Sequence, residues 1–147
     1  MRLTTFTDYS LRVLMYLAAA PEKRATIAEI ARAFDISEHH LVKVVHFLGR
    51  EGLLSNSRGR RGGLRLARPA AEINVGAVVR LTEAGDTPAE CFDARTNTCR
   101  LSGGCSLQRV LREALAAFYE SLGRHTVADL RTQPRKLQAL FALRELA

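Results

Sequence analysis

The sequence predicts a mainly α-helical winged helix-turn-helix with a small β-hairpin wing, followed by a long dimerisation helix. Three observations carry that reading. Residues 26–51 hold a capped helix, a tight turn and a second capped helix. Residues 53–67 hold two short apolar strands around a glycine-rich basic turn. Residues 105–122 hold an apolar stripe at helical spacing.

The elements follow in order. The first helix is predicted over Thr4–Ala20. Its cap comes from Thr4, Thr5 or Thr7, Asp8 lies in its first turn, and Phe6, Tyr9, Val13, Leu14 and Leu17 form its apolar stripe. Pro21 ends it. Thr26 caps the next helix, with Glu29 as capping-box partner and Ile27, Ile30, Ala31 and Phe34 as the buried face. Asp35-Ile36 forms a tight turn. Ser37 caps a helix running to about Glu51, with Leu41, Val44, Val45 and Leu48 facing inward and Gly52 placed to terminate it. Leu53–Ser57 and Leu64–Ala67 are the strands, and Pro69 closes the hairpin. Asn74 caps a helix over Val75–Leu81. Residues 83–104 have few large aliphatics and read as a functional loop. The helix over Cys105–Leu122 carries Leu107, Val110, Leu111, Ala114, Leu115, Phe118 and Leu122 on one stripe, more than one short helix needs. That stripe fits packing on the N-terminal domain or on the same helix of a second chain. Leu137, Leu140 and Phe141 mark a weaker short helix. The division expected is 1–82 for a DNA-binding domain, 83–106 for a cysteine loop, and 107–147 for the dimerisation helix and tail.

Composition narrows the function. The chain has 147 residues, with 22 Lys+Arg against 15 Asp+Glu, for a net charge of +7. Such a chain can bury a core without disulfides, and no run of 18 apolar residues exists to cross a membrane. The excess charge is concentrated between residues 37 and 68, where Lys43, Arg50, Arg58, Arg60, Arg61, Arg65 and Arg68 face only Glu38 and Glu51. Arginine offers a planar donor fork that fits phosphates and guanine edges. The second helix of the pair is narrow enough for the DNA major groove. Its outward face presents Ser37, Glu38, His39, His40, Lys43 and His46, of which Ser37, His39, His40 and Lys43 are the expected DNA contacts. Arg58, Arg60 and Arg61 form the wing tip, and a narrow minor groove attracts inserted arginine. Arg65 and Arg68 fit equally well on the solvated face of a strand. No phosphate loop, nucleophile–base arrangement or paired catalytic acids point to an enzyme.

Cys91, Cys99 and Cys105 are the only cysteines, spaced C-x7-C-x5-C. An odd number cannot all pair within one chain, which argues for a reducing, cytoplasmic setting. The spacing disfavours a zinc ribbon or redox dithiol. Three thiolates in one polar loop beside a helix start suit a soft metal site or an iron–sulfur cluster. A fourth ligand stays open: Glu90 and Asp93 lie near in sequence, and Asp8 and His125 are remote. A thiol- or zinc-based redox switch is the alternative use of the same cysteines.

Met1–Tyr9, Leu41–Val44, Arg58–Gly63 with Leu64-Arg65-Leu66, and the three cysteines together resemble the winged-helix repressor family that includes the nitric-oxide sensor NsrR and the cluster-biogenesis regulator IscR. Ala117-Phe118-Tyr119 and Thr126–Leu130 are similar to the NsrR branch. The resemblance covers roughly residues 1–130. It implies a homodimer that represses transcription by binding operator DNA, with cluster nitrosylation by nitric oxide lifting repression. It implies cluster ligation by Cys91, Cys99 and Cys105, with the aspartate matching Asp8 supplied by the second subunit. The IscR branch instead has a histidine where Gln108 stands here. Three cysteines and one oxygen ligand favour a four-iron (4Fe-4S) cluster, with a two-iron (2Fe-2S) form as the alternative.

Overall fold

The computed structural model describes residues 2–57, 59, 62–83 and 87–130. The expected short helix around Leu137, Leu140 and Phe141 lies outside the described residues. Among the described residues, five α-helices and a two-stranded hairpin follow in the order α1 (Thr5–Ala19), α2 (Ile27–Phe34), α3 (Glu38–Arg50), β1 (Leu54–Ser57), β2 (Gly63–Leu66), α4 (Val75–Thr82) and α5 (Ser106–Gly123). This is the winged helix-turn-helix with a long final helix that the sequence predicts.

Local chemistry sets each boundary. The Thr4 hydroxyl accepts from the Thr7 N–H at 3.2 Å and starts α1. Thr26 and Glu29 form the full capping box at α2. Helix α2 ends on Asp35 in the left-handed region at φ 55°, where the N–H of Ile36 reaches back to the Ala31 carbonyl. Aspartate is among the few non-glycine residues that visit that region. Helix α3 ends the same way on Gly52 at φ 68°. Leu53 N–H donates to Leu48 and Gly52 N–H to Gly49, which is the Schellman pattern. Ser37 does occupy the cap position of α3, but its hydroxyl makes no cap hydrogen bond. Its carbonyl opens the helix by accepting from His40 and Leu41.

The core forms where α1, α2, α3 and the hairpin meet. Val13, Leu14, Leu17, Ile30, Ala31, Leu41, Val44, Val45 and Leu48 are buried in it, while Phe6, Tyr9, Ile27 and Phe34 seal its edge. Strand β2 is held on both sides. It pairs antiparallel with β1, with Leu54 opposite Leu66 and Ser57 opposite Gly63. On its other side Leu64 exchanges two backbone hydrogen bonds with Ala25, at 3.1 and 2.8 Å. Gly63 has φ 140°, and a Cβ there would stand 3.0 Å from the Ala25 carbonyl oxygen. Glycine is therefore what lets the wing seat against the α1–α2 loop.

The chain after α5 turns back onto the N-terminal unit. Val127 is fully buried in the core, and its N–H donates to Ile73 at 2.8 Å. The Asn74 side chain caps α4 by accepting from Ala77 and donates to the Gly123 carbonyl at 2.7 Å. The Asp129 carboxylate accepts from the Thr126 N–H and hydroxyl, which holds it below the usual carboxylate range. A depressed carboxyl stabilises the folded state above its unfolded pKa and loses that contribution as pH falls. Helices α4 and α5 cross at two glycines, since a Cβ on Gly76 would stand 2.8 Å from the Gly123 nitrogen. Beside them the Arg80 guanidinium lies 4.0 Å from the Tyr119 ring centre.

Two glycine substitutions test this packing. Gly76→Ala is expected to lower stability in chemical unfolding by about 1–3 kcal/mol, because backbone must move to admit one methyl group. Gly49→Ala, where a Cβ would meet nothing within 4 Å, is expected to raise it by about 0.5–1 kcal/mol.

Candidate nucleic-acid interface and cysteine loop

Helix α3 is amphipathic, with Leu41, Val44, Val45 and Leu48 turned inward and Ser37, Glu38, His39, His40, Lys43, His46 and Arg50 exposed. The exposed set forms one surface next to the hairpin. His40 leans on Tyr9, with ring centres 6.3 Å apart, and lines a groove with Phe6 and Lys43. Arg58, Arg60 and Arg61 lie outside the described residues. Gly62 N–H donates to the Gly59 carbonyl at 2.8 Å. Arg24 braces the base of the wing by donating to the Ser57 hydroxyl at 2.6 Å and to the Gly63 carbonyl. Arg68 donates to the Gly52 carbonyl at 3.2 Å, which makes it a staple of the α3–β1 turn, while Arg65 is exposed on β2. No local pattern singles out Arg24, because its partners stand more than thirty residues away.

The cysteine loop is built by its own polar groups. Cys91 sits in a single helical turn over Glu90–Phe92, and Cys105 stands at the cap position of α5. All three cysteines are half-buried free thiols. The Thr98 hydroxyl donates to the Glu90 carboxylate at 3.1 Å, tying together the residues that precede Cys99 and Cys91. The Gln108 side-chain amide donates to the Cys91 carbonyl at 2.8 Å, which ties Cys91 to the first turn of α5, the helix that follows Cys105. Cys99 opens a turn closed by Ser102 N–H on its carbonyl, and its own N–H donates to Asn97. Among the described residues, no group of three or more His, Cys, Asp or Glu side chains lies close enough to hold one metal ion. A multi-iron cluster is wider than one ion, and its thiolates need only border a common face. Three free thiols, one of them at the N-terminus of α5, are a donor set whose chemistry fits such a cluster.

The oxygen candidates are each engaged elsewhere. Asp93 accepts from the Arg95 N–H at 2.9 Å and from its guanidinium at 3.3 Å, which holds its carboxyl below the usual range. Glu90 accepts from Thr98. Asp8 pairs with Arg12 at 2.8 Å, both about half-exposed, an i,i+4 pair worth about 0.3–0.5 kcal/mol. His125 is exposed, and its carbonyl accepts from Val75.

One junction that sequence patterns do not mark links loop to helix. Glu83 follows α4 and starts the loop, and its carboxylate accepts from the Thr4 N–H at 2.8 Å and the Thr4 hydroxyl at 3.0 Å. Next to it the buried Thr7 hydroxyl donates to Thr82 at 2.8 Å, and Thr82 donates to the Val78 carbonyl. The N-terminus of α1 is thus fastened to the start of the cysteine loop.

A helix-turn-helix whose second helix turns a polar, basic face outward beside a β-hairpin has the architecture of a winged-helix DNA-binding transcriptional regulator. The model of the Rrf2 family, described as an iron-dependent transcriptional regulator, matches residues 3–133, and the chain belongs to that family. It is 47% identical over 145 residues to the HTH-type transcriptional regulator NsrR of Halalkalibacterium halodurans, covering 98% of this chain and 99% of that one. It is 49% identical over 142 residues to the regulator of the same name from Geobacillus kaustophilus, covering 96% and 97%. Among solved structures, the oxidized form of Staphylococcus aureus CymR superposes with a TM-score of 0.72 at 24% identity, over 89% of this chain and 96% of that one, a likeness of fold. Its relatives are named transcriptional regulators, and the chain is not an enzyme. Among the described residues no helix is long and apolar enough to cross a membrane.

The Gln108 staple is testable in the metal-free protein. Gln108→Ala is expected to speed alkylation of Cys91 severalfold, read by mass spectrometry of labelled peptides, with the unfolding midpoint little changed. An unchanged labelling rate would mean that the amide does not hold the loop.

Proposed function

We propose that this chain is a homodimeric cytoplasmic repressor that binds operator DNA and releases it in response to nitric oxide, through an iron–sulfur cluster. The observation that carries the reading is the loop tying three free half-buried cysteines to the start of α5, in a chain whose other end is a DNA-reading head. The NsrR name of its relatives supports it. Cys91, Cys99 and Cys105 would hold the cluster, with Asp8 of the partner subunit as the fourth ligand and a four-iron form favoured. When bound, the cluster supplies thiolate-ligated iron that reacts with nitric oxide.

The chain's own residues do the rest. Residues 1–82 read DNA, with Ser37, His39, His40 and Lys43 on α3 in the major groove and Arg58, Arg60 and Arg61 on the wing. Residues 83–106 form the sensor loop. Residues 107–147 dimerise, through an α5 stripe that this single chain leaves open, with Leu107 62% and Val110 52% exposed. Asp8 must give up or share its pairing with Arg12 to act as a ligand. Movement of the loop reaches α3 through Glu83, Thr4 and α1, which packs on α3 through Phe6 against Phe47, ring centres 5.3 Å apart. A hundredfold change in DNA affinity needs only about 2.8 kcal/mol of such coupling.

Anaerobically purified protein is expected to be coloured, to contain iron and acid-labile sulfide, and to bleach with nitric oxide while losing operator affinity. Ala substitution at any one of the three cysteines is expected to abolish both colour and operator binding. A variant that binds and responds like the wild type overturns the reading, and a colourless protein containing zinc selects the thiol or zinc switch instead. Asp8→Ala separates two roles, since an intact cluster with unchanged binding returns Asp8 to its place in the first turn of α1. Lys43→Ala is expected to weaken binding to all sequences alike and to reduce the slope of log affinity against log salt by about one.

A further inference from the structure

The surface of α3 that faces outward is polar and basic except at one point. Val42 is 51% exposed, in the middle of the helix, while the other large exposed apolar side chains among the described residues are Leu81, Leu101, Leu107 and Val110, on or near α4 and α5. His39 and His46 flank it at the helical spacings that share a face. Val42 forms part of the wall of an open groove of about 410 Å³ between α3 and the wing, lined also by the apolar Ile27, Val45, Leu54 and Leu64, with His46, Arg50 and Asn56 as its polar members. The rim of this groove can meet phosphates, while a valine can neither donate nor accept a hydrogen bond.

Gly49 lines the same groove two turns along. Glycine in a helix costs about 0.8–1.0 kcal/mol relative to alanine. Among the described residues nothing requires it, because a Cβ there would meet none of their atoms within 4 Å and the residue has no left-handed backbone. An exposed apolar side chain on the wall of a largely apolar groove that also carries Arg50 and His46, beside a helix kept bare at Gly49, fits an occupant that is acidic at its edges and carries an apolar group between them. Major-groove DNA has that chemistry, with phosphates along its walls and the C5-methyl of thymine as its apolar mark.

We infer that Val42 reads the methyl group of a thymine in the major groove, and so sets base preference at one position of each half-site. This rests on the DNA-reading role proposed above for α3. Burying one methyl group corresponds to a threefold to fourfold change in affinity per half-site, by the usual value of about 0.8 kcal/mol.

The test begins by selecting a preferred duplex from a random-sequence library with the anaerobically purified protein. Each thymine of that duplex is then replaced singly by deoxyuridine, which removes only the methyl group. Wild-type protein is expected to lose threefold to fourfold affinity at one thymine per half-site and about tenfold when both are replaced. Val42→Ala, which alters both half-sites of the dimer, is expected to bind the thymine duplex about tenfold more weakly, to ignore uridine at that position, and to keep its affinity for non-specific DNA. Affinity indifferent to uridine at every position overturns the inference while leaving DNA reading by α3 intact. The same holds if Val42→Ala stays as sensitive to uridine as the wild type, or loses specific and non-specific binding equally. A protein that selects no duplex at all overturns both.

Discussion

Glu83 stands where α4 ends and the cysteine loop begins, and it accepts two hydrogen bonds from Thr4, the residue that caps α1. With the buried Thr7–Thr82 pair alongside, this junction binds the start of the sequence to a point nearly eighty residues later. It places a carboxylate at the positive end of the α1 dipole, where negative charge is stabilised. Helix α1 in turn packs on α3, with Phe6 against Phe47 and Tyr9 against His40. The position of the DNA-facing helix and the origin of the cysteine loop are therefore set by the same few atoms.

A second constraint acts at the far side of α4. Gly76 approaches the Gly123 backbone so closely that no side chain fits on Gly76, and the stacking of Arg80 on Tyr119 fixes the crossing from the flank. The segment after α5 then returns to bury Val127 in the core. Helix α5 is held at both ends, by Gln108 to the cysteine loop and by Gly123 and Val127 to the DNA-reading unit, while Leu107 and Val110 of its apolar stripe are exposed and Leu111, Leu115, Phe118 and Leu122 are half-buried. This arrangement lets one helix serve both as a wall of the cysteine loop and as a surface for a second copy.

Much of the fold could be read from local chemistry. The inner face of α3 is the one its spacing predicts, the capping box at Thr26 forms in full, and Gly52 ends α3 in the left-handed turn its position implies. Ser37 shows the limit of such reading, since the residue takes the cap position while its hydroxyl makes no cap bond. Gln108 shows another. In the sequence it marks only a missing histidine, whereas in the fold it is the group that brings Cys91 to the start of α5.

The sequence by itself determined the element order, the faces of the first three helices, the concentration of arginine near the wing and the grouping of three cysteines in one loop. Each of these depends on residues within about one helical turn or one hairpin of one another, where spacing and backbone preference act directly. Only the tertiary structure decided that Ala25 completes the wing, that Glu83 fastens the loop to α1, that Gly76 and Gly123 set the α4–α5 crossing, and that Val127 belongs to the core. Those contacts join residues far apart in the chain, and a polar or small residue carries no local mark of the distant partner that will satisfy it once water is excluded.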